Sequence, residues 1–367
     1  MSLRDEILEQ PAALRRQLVS SEPALEAVAA RLRDQPVDSV VIAARGSSDH
    51  AAIYGQYVLA VRNQLSVGLA TPSAVSLYGA DPKVGRSLVI GISQSGASPD
   101  IVSVVTSARG EGAPTLAITN DPSSPLAEAA EHVIDLAAGP ERAVAATKTY
   151  TTSLLAIARL SAALESSARR SSARESAAPE SPAEAIAAAA ADLAALPATA
   201  AVALRVEAQV ESIAAELAAQ AGAFDRCVIV GRGFEYATAR EWALKLKELA
   251  RVFADPYSAA DFLHGPIALV QPGIPVLVLA PSGAPAAGQV ELLRDLAGRD
   301  VETVVVSDDP ETRALGRWSI ELPARVPEWL RPIVSILPAQ LFAYHATVAR
   351  GLDPDEPRYL AKVTRTL

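Results

Sequence analysis

Short β-branched runs, each followed by a turn and a helix-like stretch, recur along this chain of 367 residues and leave few folds open to it. From Ser39 the runs are SVVIAA, SVGLAT, RSLVIGIS, PTLAITN and HVIDLAA. After residue 225 come RCVIVGRG, IPVLVLAP, VETVVVSD and WSIELPA. Runs of four to six apolar residues without strict alternation suit strands buried on both faces, and the intervening helical stretches supply the crossovers that parallel strands need. The pattern predicts an α/β fold of two doubly wound, flavodoxin-like parallel-sheet domains in tandem, with ligands outside the carboxyl ends of the strands.

The length suits two domains. Half the residues are hydrophobic and only 4% aromatic, so the cores are built from Ala, Val, Leu and Ile. We expect an N-terminal helical arm over 1–35, with two short helices, a first domain over 36–162, a linker and connecting helix over 163–200, a second domain over 201–350 and a tail over 351–367. The linker reading rests on ALESSARRSSARESAAPESPAEAI, which is polar and lacks an apolar period.

A formal net charge of −9 argues against a broad nucleic-acid or anionic-membrane surface, which needs a positive field. A single cysteine, Cys227, excludes an intramolecular disulfide framework and any multi-cysteine metal site. The four histidines lack metal-motif spacing, so no metal is expected, nor any cofactor. The N-terminal residues carry charges throughout, and no run of 18 uninterrupted apolar residues occurs, so the expected location is the cytoplasm with no membrane span.

The most informative segment is LVIGISQSGASPD, residues 88–100. An apolar strand runs straight into Ser93, Gln94, Ser95 and Gly96, and Ser98 followed by Pro99 starts a helix. Backbone N–H groups, a helix N-terminus and three hydroxyls suit a phosphate dianion without a basic side chain. A second turn, Arg45-Gly46-Ser47-Ser48, follows the first strand. Taken alone it reads as an ordinary strand-to-helix turn. Neither turn matches the P-loop or the dinucleotide fingerprint, so nucleotides are not indicated.

In the second half, ATAREWALKLKELARVF carries an apolar stripe of Ala239, Trp242, Leu246, Leu249 and Phe253. On the other side Glu241, Lys245 and Glu248 fall at i, i+4 and i+7, and by spacing alone they read as a solvated salt-bridge ladder. His264, in FLHGPIAL, sits before Gly265-Pro266 in an expected loop, where an imidazole can serve as acid or base. His50, His132 and His345 lie within or beside apolar patterns and read at least as well as packed core residues. Lys362, in a short tail, is of interest only if the tail folds back.

Six segments in order, SQSGAS, ERAVAATKTYT at 141–151, the GRGFEYA to LKLKELA stretch at 231–250, FLHGPIAL at 262–269, QLFAYH at 340–345 and PRYLAKVT at 357–364, resemble the sugar-isomerase (SIS) tandem. More closely they resemble the isomerase half of glutamine:fructose-6-phosphate amidotransferase and the SIS-type glucosamine-6-phosphate deaminases. The resemblance implies that Ser47, Ser48, Ser93, Gln94, Ser95 and Ser98, with Val144 nearby, hold a sugar phosphate. It implies that Glu248 moves a proton between C1 and C2, that His264 assists ring opening and is donated by a neighbouring subunit, that Lys362 approaches the open-chain carbonyl, and that the tail closes over the active site. It also implies at least a homodimer.

Two departures are visible: Leu263 stands where the synthase has a lysine before His-Gly-Pro, and Ala146 replaces a serine. No cysteine precedes Cys227, so this stretch is not expected to take ammonia from glutamine. The function expected is conversion of glucosamine 6-phosphate to fructose 6-phosphate and ammonia. The alternatives are aldose/ketose isomerisation, cleavage of a fructosamine 6-phosphate, water elimination from N-acetylglucosamine 6-phosphate, or a non-catalytic phosphosugar sensor.

Overall fold

The computed structural model describes residues 2–171, 182–219 and 224–362. The chain forms two compact units, each built on one parallel sheet. The first gathers residues 12–141 and 148–197, and the second gathers 1–11, 142–147 and 198–362.

The first sheet contains β1 (Ser39–Ala43), β2 (Ser66–Leu69), β3 (Ser87–Ile92), β4 (Thr115–Thr119) and β5 (His132–Asp135), in the order β2-β1-β3-β4-β5. All pairs are parallel, with Val40 opposite Leu88 and Ile90 opposite Leu116. Every residue of β3 and β4 is buried, which explains their unbroken apolar runs. Val89, Ala117, Ile101, Val105 and Leu126 form one core cluster, packing the helix Pro99–Gly110 against the sheet. That packing aims the N-terminus of the helix at the loop after β3.

The second sheet contains β6 (Arg226–Gly231), β7 (Phe253–Ser258), β8 (Val276–Leu279), β9 (Thr303–Ser307) and β10 (Trp318–Glu321), in the order β10-β9-β8-β6-β7. It repeats the first strand for strand, with the direction of strand order reversing between β6 and β8 as it does between β1 and β3. The apolar runs account for four of these strands but not for β7, whose sequence is FADPYS. A proline is tolerated there because β7 pairs on one side only, at the sheet edge.

The helix expected over 237–253 divides in two. An α-helix over Glu235–Lys245 continues as a π-helical turn over Leu246–Ala250 and stops at Arg251, which adopts φ +56°. Phe253, placed on the apolar stripe by spacing, begins β7 instead and is 82% exposed. Trp242 is fully buried and meets Phe342 edge-on at 5.3 Å, fixing this helix against the core helix Arg331–Ala349.

The N-terminal arm contains three helices rather than two: Leu3–Leu8, Gln10–Ser20 and Glu22–Asp34. Pro11 falls at the second residue of the middle helix, where its missing N–H costs nothing, so it opens that helix instead of interrupting one. The helices Lys148–Ser171 and Pro182–Ala203 run into the expected linker, 163–200, from either side, and residues 172–181 lie outside the described residues. Among the described residues two helical stretches are long and apolar enough to cross a bilayer, Glu184–Ala219 and Glu328–Ala349. The second is 83% buried as the core helix of its sheet, and the first, 22% buried, owes its apolar character to alanine.

Candidate functional site

In the first unit the loop after β3 is braced from below. Ser93 N–H donates to Ile118 O, Asn120 N–H to Gln94 O, and Leu126 N–H to Gly96 O, at 3.0–3.1 Å. Gly96 takes φ +59°, and a Cβ there would stand 1.9 Å from the Ser124 hydroxyl, so only glycine fits. Ser98 occupies the N-cap position of the helix Pro99–Gly110, and its side chain makes no capping hydrogen bond; Pro99 has no N–H and Ile101 N–H donates to Asp100 Oδ1 at 2.9 Å, so the helix start offers a ligand the Ser98 hydroxyl and the Asp100 N–H. Ser95 Oγ accepts only a long bond from Ala97 N–H, 3.3 Å. Ser93 is buried; Gln94, Ser95 and Ser98 are partly exposed.

The turn after β1 joins this loop through an ion pair that the sequence did not announce. Arg45 Nε lies 2.9 Å from Asp100 Oδ2, in the first turn of the helix Pro99–Gly110, and Arg45 also donates to Ser73 Oγ. The Asp100 carboxylate is 1% exposed and the Arg45 side chain 46%. The pair neutralises Arg45, so an anion in this loop would rely on N–H groups and hydroxyls. Ser47 and Ser48 open the helix Ser47–Asn63 behind Gly46, which adopts φ +56°. Val144 belongs to the second unit, in a segment whose Arg142 and Ala143 N–H groups donate to the Glu6 carboxylate.

In the second unit Glu241, Lys245 and Glu248 do not form a solvated ladder. Glu241 and Lys245 are 0% and 1% exposed, and Glu248 is 22% exposed. Lys245 Nζ lies 2.5 Å from Glu248 Oε2 and 3.4 Å from Glu241 Oε1. Burial pulls the Lys245 pKa down, but the two carboxylates outweigh it and hold the ammonium above its ordinary value. Glu248 stands in the π-helical turn, a distortion that often marks functional positions. Glu248 thus has one oxygen fixed by Lys245 and a side chain that still reaches solvent. Spacing alone could not reveal this, because charges at i, i+4 and i+7 look the same on a wet face and a buried one.

His264 caps the short helix Ala259–Leu263 and is exposed, with Leu263 and Leu269 exposed beside it. The π-helical turn that carries Glu248 precedes β7, and His264 follows β7, so the two lie beyond opposite ends of a six-residue strand, roughly 17 Å of extended chain. The structure does not bring them together within one unit. Lys362 is partly exposed and ends the described part of the tail, which is tied down where Asp355 Oδ1 accepts from Leu3 N–H at 2.6 Å. Residues 363–367 lie outside the described residues. Among the described residues no group of three or more His, Cys, Asp or Glu side chains could hold a metal ion. Cys227 is buried, and burial pushes its thiol pKa up.

A roomier cavity of about 850 Å³ lies in the first unit, between Leu18–Arg33, the helix Lys148–Ser171 and Ala185–Ala194. Alanine and leucine dominate its walls, and among its charged lining residues Arg159 pairs with Glu22 at 2.6 Å.

The SIS domain family model matches this chain twice, over residues 35–163 and 224–350, one match for each sheet. The chain belongs to the SIS domain family. Glutamine–fructose-6-phosphate aminotransferase (isomerizing) of Pyrococcus horikoshii is 33% identical over 357 residues, which cover 97% of this chain and 56% of that relative. The SIS chain thus spans little more than half the length of the curated relative. A crystal structure of a candidate phosphosugar isomerase from Silicibacter pomeroyi is 33% identical and superposes with a TM-score of 0.79, covering 97% of this chain and all of that one. The C-terminal domain of glucosamine-fructose-6-phosphate aminotransferase from Francisella tularensis is 25% identical, with a TM-score of 0.84 over 97% of this chain and 98% of that one. Family, tandem architecture and a phosphosugar-isomerase relationship therefore agree with the reading from the motifs.

Proposed function

We propose that this SIS chain is an enzyme that converts glucosamine 6-phosphate to fructose 6-phosphate and ammonia. The observation that carries the reading is the Lys245–Glu248 contact, a carboxylate held in one orientation on a π-helical turn by a buried ammonium. The two aminotransferase relatives act, by their names, on fructose 6-phosphate, the product of this reaction, and that supports the choice of substrate.

In this scheme Ser93, Gln94, Ser95 and Ser98, with Ser47 and Ser48, take the phosphate, and Val144 lines the sugar. Glu248 removes the C2 proton of the open-chain amino sugar and returns it to C1. The C1 aldehyde becomes an alcohol and C2 becomes a ketimine; water adds at C2, and ammonia leaves as the C2 carbonyl forms. His264 assists ring opening. Its distance along β7 from Glu248 supports a supply of this side chain from a second copy, in a homodimer. Lys362 approaches the open-chain carbonyl from the tail. A cytoplasmic location suits a phosphorylated substrate.

The test follows ammonia and fructose 6-phosphate together after addition of glucosamine 6-phosphate, with Glu248→Gln as the paired control. Both products rising in the parent and neither in the variant is the expected result. If neither appears in the parent while the sugar phosphate still raises Tm, the phosphate loop stands and the deaminase assignment fails.

A further inference from the structure

The two sheets share one plan, so their loops can be compared position by position. Arg45-Gly46 after β1 corresponds to Arg232-Gly233 after β6, and both glycines take positive φ, +56° and +60°. Ser95-Gly96 after β3 corresponds to Ser282-Gly283 after β8, again with positive φ, +59° and +131°. These loops follow the two strands at which strand order reverses, where α/β sheets bind ligands.

The two units then diverge. Asp100, which neutralises Arg45, lies four residues beyond Gly96; four residues beyond Gly283 is Ala287. Arg232 is therefore exposed and, among the described residues, has no ion pair. Its guanidinium reaches Gly288, 3.9 Å from where a Cβ on that residue would sit, near the start of the helix Ala286–Ala297.

The donors of the 280–285 loop are taken by protein carboxylates. Ser282 donates through its N–H and Oγ to Asp308, at 2.7 and 2.6 Å. Ala284 N–H donates to Glu328 Oε2 at 3.2 Å, and a Cβ on Gly283 would stand 2.8 Å from that oxygen. Arg331, 5% exposed, donates to Ser282 O and, at 3.2 Å, to Ser282 Oγ. Glu328 thus occupies the place where the loop amides and the helix N-terminus would hold an oxyanion.

A separate observation points to a missing occupant. The small cavity at this loop is lined by Arg232, Glu235, Gln289, Glu328 and Arg331. Three buried atoms of these residues lack hydrogen-bond partners: Arg331 Nε, Gln289 Oε1 and the second Glu235 oxygen, the first oxygen accepting from Ser335. Their residues are 5%, 2% and 5% exposed. Buried polar atoms are normally paired, and three unpaired ones around one cavity are unusual. About 10 Å³ is open to a water centre there, room for one water at most, so the cavity is shut to anything larger while Glu328 is in place.

We infer that the 280–285 loop is a second oxyanion site, plugged by the Glu328 carboxylate and opened to a phosphate group when that carboxylate is displaced. Glu328 lies on a three-residue 3-10 turn after the irregular stretch that follows β10. With Glu328 in place, Arg232 and Arg331 face Asp308 and Glu328. Burial pushes the Glu235 carboxyl pKa up. Removing Glu328 takes one negative charge away from the cavity that Arg232 and Arg331 line. Gln289 Oε1 is an acceptor and asks for a ligand that also brings a donor, such as a monoprotonated phosphate or the hydroxyls of a sugar phosphate.

The inference rests on the second unit alone and is independent of the reaction proposed above. The test is the number of inorganic phosphates bound per chain by calorimetry in the intact protein, in Glu328→Ala and in Glu328→Ala/Arg232→Ala. The expected result is one additional phosphate per chain in Glu328→Ala, lost again in the double variant, whatever number the parent binds. Glu328→Ser, which also empties the loop of the long side chain, is expected to gain the same site and serves if Glu328→Ala does not fold. An unchanged stoichiometry in a folded variant, or an added site indifferent to Arg232, overturns the inference. Fructose 6-phosphate competing for the added site identifies a sugar phosphate as the ligand, and failure to compete identifies free phosphate.

Discussion

Lys245 holds Glu248: the ammonium nitrogen stands 2.5 Å from one oxygen of the carboxylate, and the lysine side chain is 1% exposed. The contact carries the proposed proton transfer and leads to the first prediction. Glu248→Gln keeps a hydrogen-bonding side chain of the same shape but no base. Activity on glucosamine 6-phosphate is expected to fall by roughly 10²- to 10⁴-fold with little change in Tm. Lys245→Met should behave differently. It takes a buried ammonium away from two carboxylates, one of them 0% exposed, and a stability loss of about 3–5 kcal/mol is expected from denaturant titration, together with lost activity.

Gly96→Ala tests the phosphate loop. The new Cβ meets Ser124 Oγ at 1.9 Å in a backbone conformation that side chains avoid, so the loop must move. Binding of the sugar phosphate, read as ligand-induced rise in Tm, is expected to weaken by about tenfold or more. Unaltered binding would remove the loop from the site.

Arg45→Ala separates a structural role from a binding one. It leaves the Asp100 carboxylate, 1% exposed, without its ion pair. Because Arg45 is itself nearly half exposed, the expected cost is roughly 1–2 kcal/mol, below that of a fully buried pair. If Arg45 instead contacted phosphate directly, the variant would lose affinity with little loss of stability.

The pH dependence of stability is predicted at Glu235. Burial raises its carboxyl pKa in the folded protein, and the hydrogen bond from Ser335 only partly offsets this. Below the unfolded pKa, about 4.3, both states are protonated and the group contributes no difference. As pH rises above that value the unfolded chain ionises first, so stability falls until the folded carboxyl ionises as well. Glu235→Gln is expected to match the parent in Tm near pH 4 and to exceed it at neutral pH. A Tm gap that does not widen with pH would contradict this account.

The strands, the tandem plan and the Ser/Gly loop after β3 were legible because short buried strands and Ser/Gly turns are local patterns. Unbroken runs such as SLVIGI and TVVVS can hardly do other than lie between helix layers. β7 escaped because an edge strand carrying Asp255 and Pro256 has no apolar signature. The ion pair between Arg45 and Asp100 escaped because its partners are 55 residues apart and are joined only when β1 and β3 lie side by side.

By itself, the order of residues determined the α/β class, the two-sheet repeat, the family and the identity of candidate side chains, all of which depend on periodicity and on motifs a few residues long. Only the tertiary structure decided which charges are buried and which face water. Glu241, Lys245 and Glu248 have the spacing of a surface ladder, and Arg232 and Arg45 stand in equivalent turns. What makes the first group a buried cluster, and leaves one arginine paired and the other without an ion pair, is the dielectric and the neighbours that folding supplies, which no local pattern encodes.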